Sequence, residues 1–191
     1  MKTIILLHCL ACLTIASAEP ERPKNDNLGE NPKIDYAGFT KLAAELAPVR
    51  EKHLVSEEKF IEMATAPGTL ILDARTRSRY DNIHVKGAIH LALTDFTEEG
   101  LKKLIPDKTT RILIYCNNNF KGEPVNFTSK AIVVALNVQT FVNLHAYGYK
   151  NVYELGPLLD VKTTKIPFEG STIKQPAAPA NSVGQAEGIP D

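Results

Sequence analysis

Two hydrophobic patterns alternate along this chain. Thr69-Leu70-Ile71-Leu72-Asp73-Ala74 and Arg111-Ile112-Leu113-Ile114-Tyr115 are short and almost wholly apolar. Unbroken apolar runs of this length predict strands covered on both faces, as in a parallel sheet. Asn151-Val152-Tyr153-Glu154-Leu155 predicts a last strand, and the end of Ile83 to Leu91 another, with Gly87 marking a tight turn before it. The other pattern is helical. Asp35 can cap a helix to about Ala47 that places Phe39, Leu42, Ala43 and Leu46 on one face and ends at Pro48. Ser56 caps Glu57 to Ala64, whose acidic first turn suits a helix start and whose apolar contacts are Phe60 and Met63. Thr97 caps Glu98 to Leu104, closed by Pro106. Thr128 to Leu136 and then Val138 to Tyr147 predict helix up to a stop at Gly148. Arg75 to Asn82, polar throughout most of its length, reads as a turn.

Strands alternating with helices predict βαβ units, hence an α/β fold with a central, mostly parallel sheet and helices on both faces. Sites in such folds form at the carboxyl ends of the strands. Cys116 lies at one such end and Asp73 closes another. A cysteine there, before a loop and a helix, meets loop amides and the positive helix end, which both favour a thiolate. From the residues alone, Cys116 is either a nucleophile or the last buried residue of a strand.

Composition bears mainly on the ends of the chain. Lys2, the apolar Ile4 to Ile15 and the small-x-small Ala16-Ser17-Ala18 read as an export signal over residues 1–18, cleaved after Ala18. The expected location is therefore periplasmic or secreted. Leu10-Ala11-Cys12 loosely resembles a lipobox, which leaves lipidation of Cys12 as an alternative. The apolar stretch is too short for a membrane span. Residues 19–33 read as a linker, 34–169 as the domain with its N-terminal helix, and 170–191 as a disordered tail rich in Pro, Ala, Ser and Gln. Loss of the signal removes Cys9 and Cys12, so Cys116 can form no internal disulfide. The 22 basic and 22 acidic residues balance with no basic run, which argues against nucleic acid or an anionic membrane as partner. Asn126-Phe127-Thr128 fits a glycosylation sequon, relevant only in a eukaryotic secretory pathway.

Leu72-Asp73-Ala74-Arg75, then Tyr80, then His84-Val85-Lys86-Gly87-Ala88-Ile89, resembles the D-x-R, aromatic and H-I-x-G-A pattern of the rhodanese-like family. The strand ending in Tyr115-Cys116 stands where that family has its catalytic cysteine. Gly148-Tyr149-Lys150-Asn151-Val152-Tyr153-Glu154-Leu155 is similar to its late G-Y-x-N-V-x-x-L strand. The resemblance covers roughly Leu54 to Val161 and implies a rhodanese-like fold. It also implies a sulfurtransferase or persulfide carrier, thiosulfate sulfurtransferase-like, with Cys116 taking a sulfane sulfur from a small donor and passing it to a thiol or protein acceptor. No cofactor and no metal are implied.

On this resemblance the loop after Cys116 (Asn117, Asn118, Asn119, Phe120, Lys121 and Gly122) holds the anion through its backbone. The Asn side chains either add donors or simply form a polar turn, and Lys121 is either the site's cation or a solvated loop residue. Asp73 and Arg75 are read as supporting rather than as an active pair, Asp73 capping the turn and Arg75 either pairing with an acid or packing against the fold. His84 fixes a turn, and His145 is a partly buried helix residue. The loop departs from the family pattern. About a dozen residues separate Cys116 from Ser129-Lys130-Ala131, which resembles the usual helix start, and the loop's usual arginine is absent. Lys121 is a point charge that cannot make a planar bidentate contact. The following helix also reads as lengthened by an insertion around Asn137 to Tyr147. These departures keep open two alternatives: an inactive rhodanese-fold module used for binding or regulation, and phosphatase or arsenate-reductase-like chemistry. The missing arginine counts against the second.

Overall fold

The computed structural model describes residues 31–173. The export signal, most of the linker and the chain beyond Ile173 lie outside them. Residues 31–35 belong to a separate N-terminal unit and form a turn in which the Ile34 amide donates to the Asn31 carbonyl, 3.2 Å. The body begins at Tyr36.

In chain order the body runs α1 (Tyr36–Lys52), β1 (Leu54–Val55), α2 (Glu57–Thr65), β2 (Thr69–Asp73), α3 (Arg77–Asn82), β3 (His84–Val85) and β4 (Ile89–His90). It continues with α4 (Glu98–Leu104), β5 (Arg111–Tyr115), β6 (Phe120–Lys121), α5 (Leu136–Ala146), β7 (Val152–Leu155), β8 (Leu159–Asp160) and β9 (Phe168–Glu169). Five strands form one parallel sheet in the order β1-β7-β5-β2-β4, with β5 at its centre. β3 pairs antiparallel with β9, and β6 pairs parallel with β8.

Successive side chains on a strand face opposite ways, and the two apolar layers follow from that. Ile112 and Ile114 of β5 pack with Leu46, Leu101, Phe141 and Leu144 from α1, α4 and α5. Leu113 and Tyr115 point the other way, into a layer with Phe60 and Met63 of α2. The expected α/β architecture is present. The caps fold as the sequence predicts: Ser56 accepts from the Lys59 amide (3.2 Å) and Thr97 from the Gly100 amide (2.9 Å).

Five local expectations are corrected. α1 does not end at Pro48 but runs on to Lys52. A proline there forfeits one hydrogen bond, but Val49 packs on the core and Arg50 pairs with Glu154, which hold the last turn in place. Phe39, placed on the packed face of that helix, is exposed instead. The segment read as a turn contains the helix α3, tied down where Tyr80 Oη donates to the Ala88 carbonyl, 2.7 Å. Thr128 to Ala135 is not α-helical: it holds only a 3-10 turn, Ile132–Val134, and α5 starts at Leu136. The extra length therefore lies before α5, and the helix itself is an ordinary 11 residues. Residues 171–173, read as part of the tail, instead pack on the body. The Ser171 and Thr172 amides donate to the Asp81 and Asn82 carbonyls, and Ile173 packs on the core.

Candidate active site

β5 hands the chain to Cys116 at the carboxyl edge of the sheet. Alternation turns Cys116 the same way as Ile112 and Ile114, toward α5. Its backbone is extended, and Asn117–Asn119 then form a tight turn. The backbone amides of Asn137, Asn118 and Asn119 donate toward Sγ. Asn137 belongs to the first turn of α5, whose positive end adds to the pull. All of these favour a thiolate.

Burial works against them, and it wins. Cys116 is 2% exposed. Its pKa is raised above the ordinary thiol value, first because burial penalises the charged form and further because the Glu154 carboxylate lies nearby. In this conformation Cys116 is a protonated thiol, shielded from reagents. Glu154 is itself buried, and Arg50 grips it at two points, Nε to Oε2 at 2.7 Å and Nη2 to Oε1 at 2.5 Å. Helix α1 thus supplies the counter-charge behind the thiol.

The three asparagines have different roles. Asn119 is a hub: its Oδ1 accepts from the Cys116 amide (2.8 Å) and from Asn137 Nδ2 (2.9 Å), and its Nδ2 donates to the Leu155 carbonyl (2.7 Å). It ties the ends of β5 and β7 to the start of α5, and its side chain has nothing left for an anion. Asn118 closes the inserted loop, donating to the Lys130 carbonyl (2.9 Å) and accepting from the Lys130 amide (2.8 Å). Asn117 is buried, with an Oδ1 that has no partner.

Phe120, Lys121 and Gly122 lead away from the thiol. The Phe120 ring crosses to the α2 side, 4.8 Å from Phe127 and 5.1 Å from Phe168. Lys121 is exposed on β6, and its carbonyl accepts from the Val161 amide, 3.0 Å. Gly122 takes a left-handed backbone (φ +87°) facing Asp160, where an added Cβ would stand 2.7 Å from Oδ1. Burial of the Phe120 ring on the face opposite Cys116 draws this half of the expected anion loop away.

Asp73 and Arg75 form a closed network beneath the same sheet edge. Arg75 Nη2 donates to Asp73 Oδ2 (2.6 Å) and to the Ile83 carbonyl (2.7 Å), and Nη1 donates to the Asn126 carbonyl (3.2 Å). Its guanidinium carbon lies 4.4 Å from the centre of the Phe127 ring. Tyr115 Oη donates to Asp73 Oδ2 and accepts from the Val85 amide (3.1 Å). Burial and the Asp73 carboxylate push the Tyr115 hydroxyl's pKa well up. His84 stacks on Tyr80 with ring centres 3.8 Å apart, and Nδ1 donates to the Tyr80 carbonyl, 2.6 Å. His145 is buried on α5, its Nδ1 donating to the Phe141 carbonyl, 2.9 Å. Neither histidine faces the thiol's donors.

A cleft of about 470 Å³ opens at the carboxyl edge, with Asn117 in its wall. Its polar lining is Thr76, Arg79, Thr94, Asn117, Lys130 and Gln139, with Arg75 buried beneath, and no carboxylate lines it among the described residues. Cys116 lies behind this wall rather than in it. The cations at the cleft mouth are therefore Arg79 and Lys130, not Lys121. Sequence reasoning missed both, reading Arg79 as part of a turn and Lys130 as a helix start. Among the described residues, no three His, Cys, Asp or Glu side chains gather closely enough to hold a metal ion.

A family model for the rhodanese-like domain matches residues 56–156, more than half of the chain. The chain belongs to the rhodanese-like family. Among solved structures it is similar to a rhodanese-like domain from Anabaena sp., at 21% identity and TM-score 0.46, covering 73% of this chain and 95% of that one. It is also similar to a rhodanese from E. coli solved with anions, at 23% identity and TM-score 0.37, covering 54% of this chain and 99% of that one. Thiosulfate sulfurtransferase from Pseudomonas aeruginosa is similar over 69% of this chain and 23% of its own, at 19% identity and TM-score 0.43. No curated protein matches the chain. Within this rhodanese-like domain, Asp73, Arg75 and Tyr115 build the frame, and the Asn117–Asn119 turn with the start of α5 closes around the cysteine.

Proposed function

We propose that this rhodanese-like protein is a sulfurtransferase or persulfide carrier that holds a sulfane sulfur on Cys116 and passes it to a thiol acceptor, after export to the periplasm or outside the cell. The observation that carries the reading is the convergence of the Asn137, Asn118 and Asn119 amides on Sγ at the end of the central strand. With thiosulfate as donor, Cys116 first loses its proton to water once the wall over it has opened. The thiolate then attacks the outer sulfur, the new S–S bond forms, and sulfite leaves with the electron pair of the bond that breaks. An acceptor thiolate then attacks the outer sulfur of the persulfide. That step forms an acceptor persulfide and returns the electron pair to Sγ. Amides aimed at the sulfur favour its charged form as charge comes and goes.

The wall between the cleft and the thiol has to open before a donor reaches Sγ, because Cys116 is buried and does not line the cleft. Mass spectrometry of the mature protein after thiosulfate treatment tests the reading. One added sulfur atom is expected, absent in Cys116→Ser; the same gain in the serine variant sinks it.

The burial and raised pKa of Cys116 favour a second reading, a rhodanese-fold binding module in which the thiol does no chemistry. It expects a thiol that resists alkylation at neutral pH and never carries a persulfide.

A further inference from the structure

Ile132, Val133 and Val134 follow one another in a single turn and are 86, 84 and 51% exposed. The turn is held by polar contacts and not by burial. Asn118 grips Lys130 on one side, and Gln139 Nε2 donates to the Val134 carbonyl (3.0 Å) on the other. Three branched apolar side chains are thus held out in water, where each loses roughly 25 cal/mol for every Å² of apolar surface it fails to bury. Lys130 before the turn and Leu136 and Gln139 after it all line the cleft, so ledge and cleft are continuous. The cleft carries Arg79 and Lys130, and among the described residues neither is in an ion pair. Arg77 nearby is taken up by Asp81, 2.8 Å.

We propose that the Ile132–Val134 ledge and the Arg79–Lys130 cleft mouth together dock a protein acceptor whose reactive cysteine is flanked by an apolar side chain and by carboxylates. The apolar residue covers the ledge, and the carboxylates meet the two unpaired cations, a match of charge as well as shape. That the acceptor group is a thiol rests on the sulfur-transfer reading; the docking itself does not. Leu136 and Asn137 follow the ledge directly, and the Asn137 amide lies against Sγ. A partner seated on the ledge thereby pushes on the wall that covers the thiol.

The test uses the full mature chain and a fluorescent peptide carrying a leucine, a serine in place of the cysteine and two glutamates. Fluorescence anisotropy is expected to show binding that weakens with salt and is lost when lysines replace the glutamates. The double variant Ile132→Ser/Val133→Ser weakens it on the order of tenfold, as loss of an apolar anchor does. Lys130→Gln weakens it by about threefold, a rim charge's share, and leaves the backbone clasp to Asn118 intact. Equal binding of both peptides, no binding, or unchanged binding by the variants overturns the proposal. So does a ledge occupied by a second copy of this chain, seen as a dimer in sedimentation that the double variant abolishes. Sulfur transfer is read separately, from Cys116 loaded by thiosulfate to the cysteine form of the peptide. There the ledge variants slow transfer to the peptide more than they change transfer to dithiothreitol, and an equal change in both overturns the docking role. Failure of Cys116 to load sinks the sulfur-transfer reading, and the anisotropy still decides the docking.

Discussion

The carboxyl edge of the sheet carries two buried polar clusters that differ in how their groups are satisfied. Under β2, Asp73, Arg75 and Tyr115 hold one another and the carbonyls of Ile83 and Asn126. Beyond β5, Cys116 lies between the Asn117–Asn119 turn and the start of α5, where Asn117 Oδ1 and Asn137 Oδ1 have no partner. The first cluster puts a charge pair out of reach of water and matches it donor for donor, which fixes one arrangement of the chain. The second buries a group that prefers to be charged in that amide setting and keeps it neutral. The stretch that follows it buries Phe120 and Phe127 in the opposite layer but leaves Ile132, Val133 and Val134 in water. Complete polar matching marks the frame, and incomplete matching marks the surroundings of the thiol.

Replacing Asp73 breaks the frame and has the largest expected effect. Asp73→Asn leaves the Arg75 charge buried without its counter-charge, a loss of about 3–5 kcal/mol for a buried pair cut on one side. Urea denaturation measures it. A loss below about 1 kcal/mol, the range of an exposed pair, would mean that the network does not hold the edge together.

Asn119 joins the two clusters through β5, and its loss is expected to rank next. Asn119→Ala strips the Cys116 amide and the Asn137 side chain of their acceptor, which costs about 1–3 kcal/mol for buried groups left unpaired. Cys116 alkylation rises with it, because the turn loses its anchor to β7. A variant that is destabilised yet no faster to alkylate would show that this hub supports the fold without guarding the thiol.

Asn118→Ala separates cover from frame most cleanly. Its clasp on Lys130 is exposed, so stability falls by no more than about 1 kcal/mol, the net worth of ordinary hydrogen bonds. If that clasp favours the closed cover by the same amount, the open population and the rate of Cys116 alkylation rise about fivefold. An unchanged alkylation rate alongside unchanged stability would leave the cover closed by something other than this clasp.

The frame was legible in the sequence and the cover was not, for physical reasons. β2 and β5 are continuous apolar runs, and Ser56 and Thr97 stand at the cap positions their helices use. Such local signals survive into the fold because tertiary contacts agree with them. Asp73 and Arg75 were readable as structural because both lie in one short motif with Tyr80 and His84. The segment from Thr128 to Ala135 offered helical periodicity, but its outcome is set by Asn118 twelve residues away along the chain. A single side chain gripping the Lys130 backbone overrides local propensity there. Arg79 and Lys130 were missed because their meeting at one cleft depends on where α3 and the inserted segment come together. Half of the expected anion loop was misplaced because Phe120 obeys the core on the far face, not the thiol on the near one.

The smallest effect in energy is the most direct test of whether burial or the amides govern Cys116. The folded protein holds the thiol proton more tightly than the unfolded chain does, since burial raises the folded pKa. Stability from this group is therefore fully present below the ordinary thiol pKa and is lost as pH rises from there through the raised, folded value. Tyr115 adds a loss of the same sign at high pH, but Cys116→Ala retains it. Subtracting the variant's stability from the wild type's isolates the cysteine, and the difference is expected to fall with pH across that alkaline window. Alkylation by iodoacetamide follows the thiolate, so its rate is expected to keep rising above the midpoint of a free cysteine peptide. A midpoint below that of the peptide would reverse the ranking. The Asn137, Asn118 and Asn119 amides would then outweigh burial, and the cover would be holding a reactive thiolate ready for use.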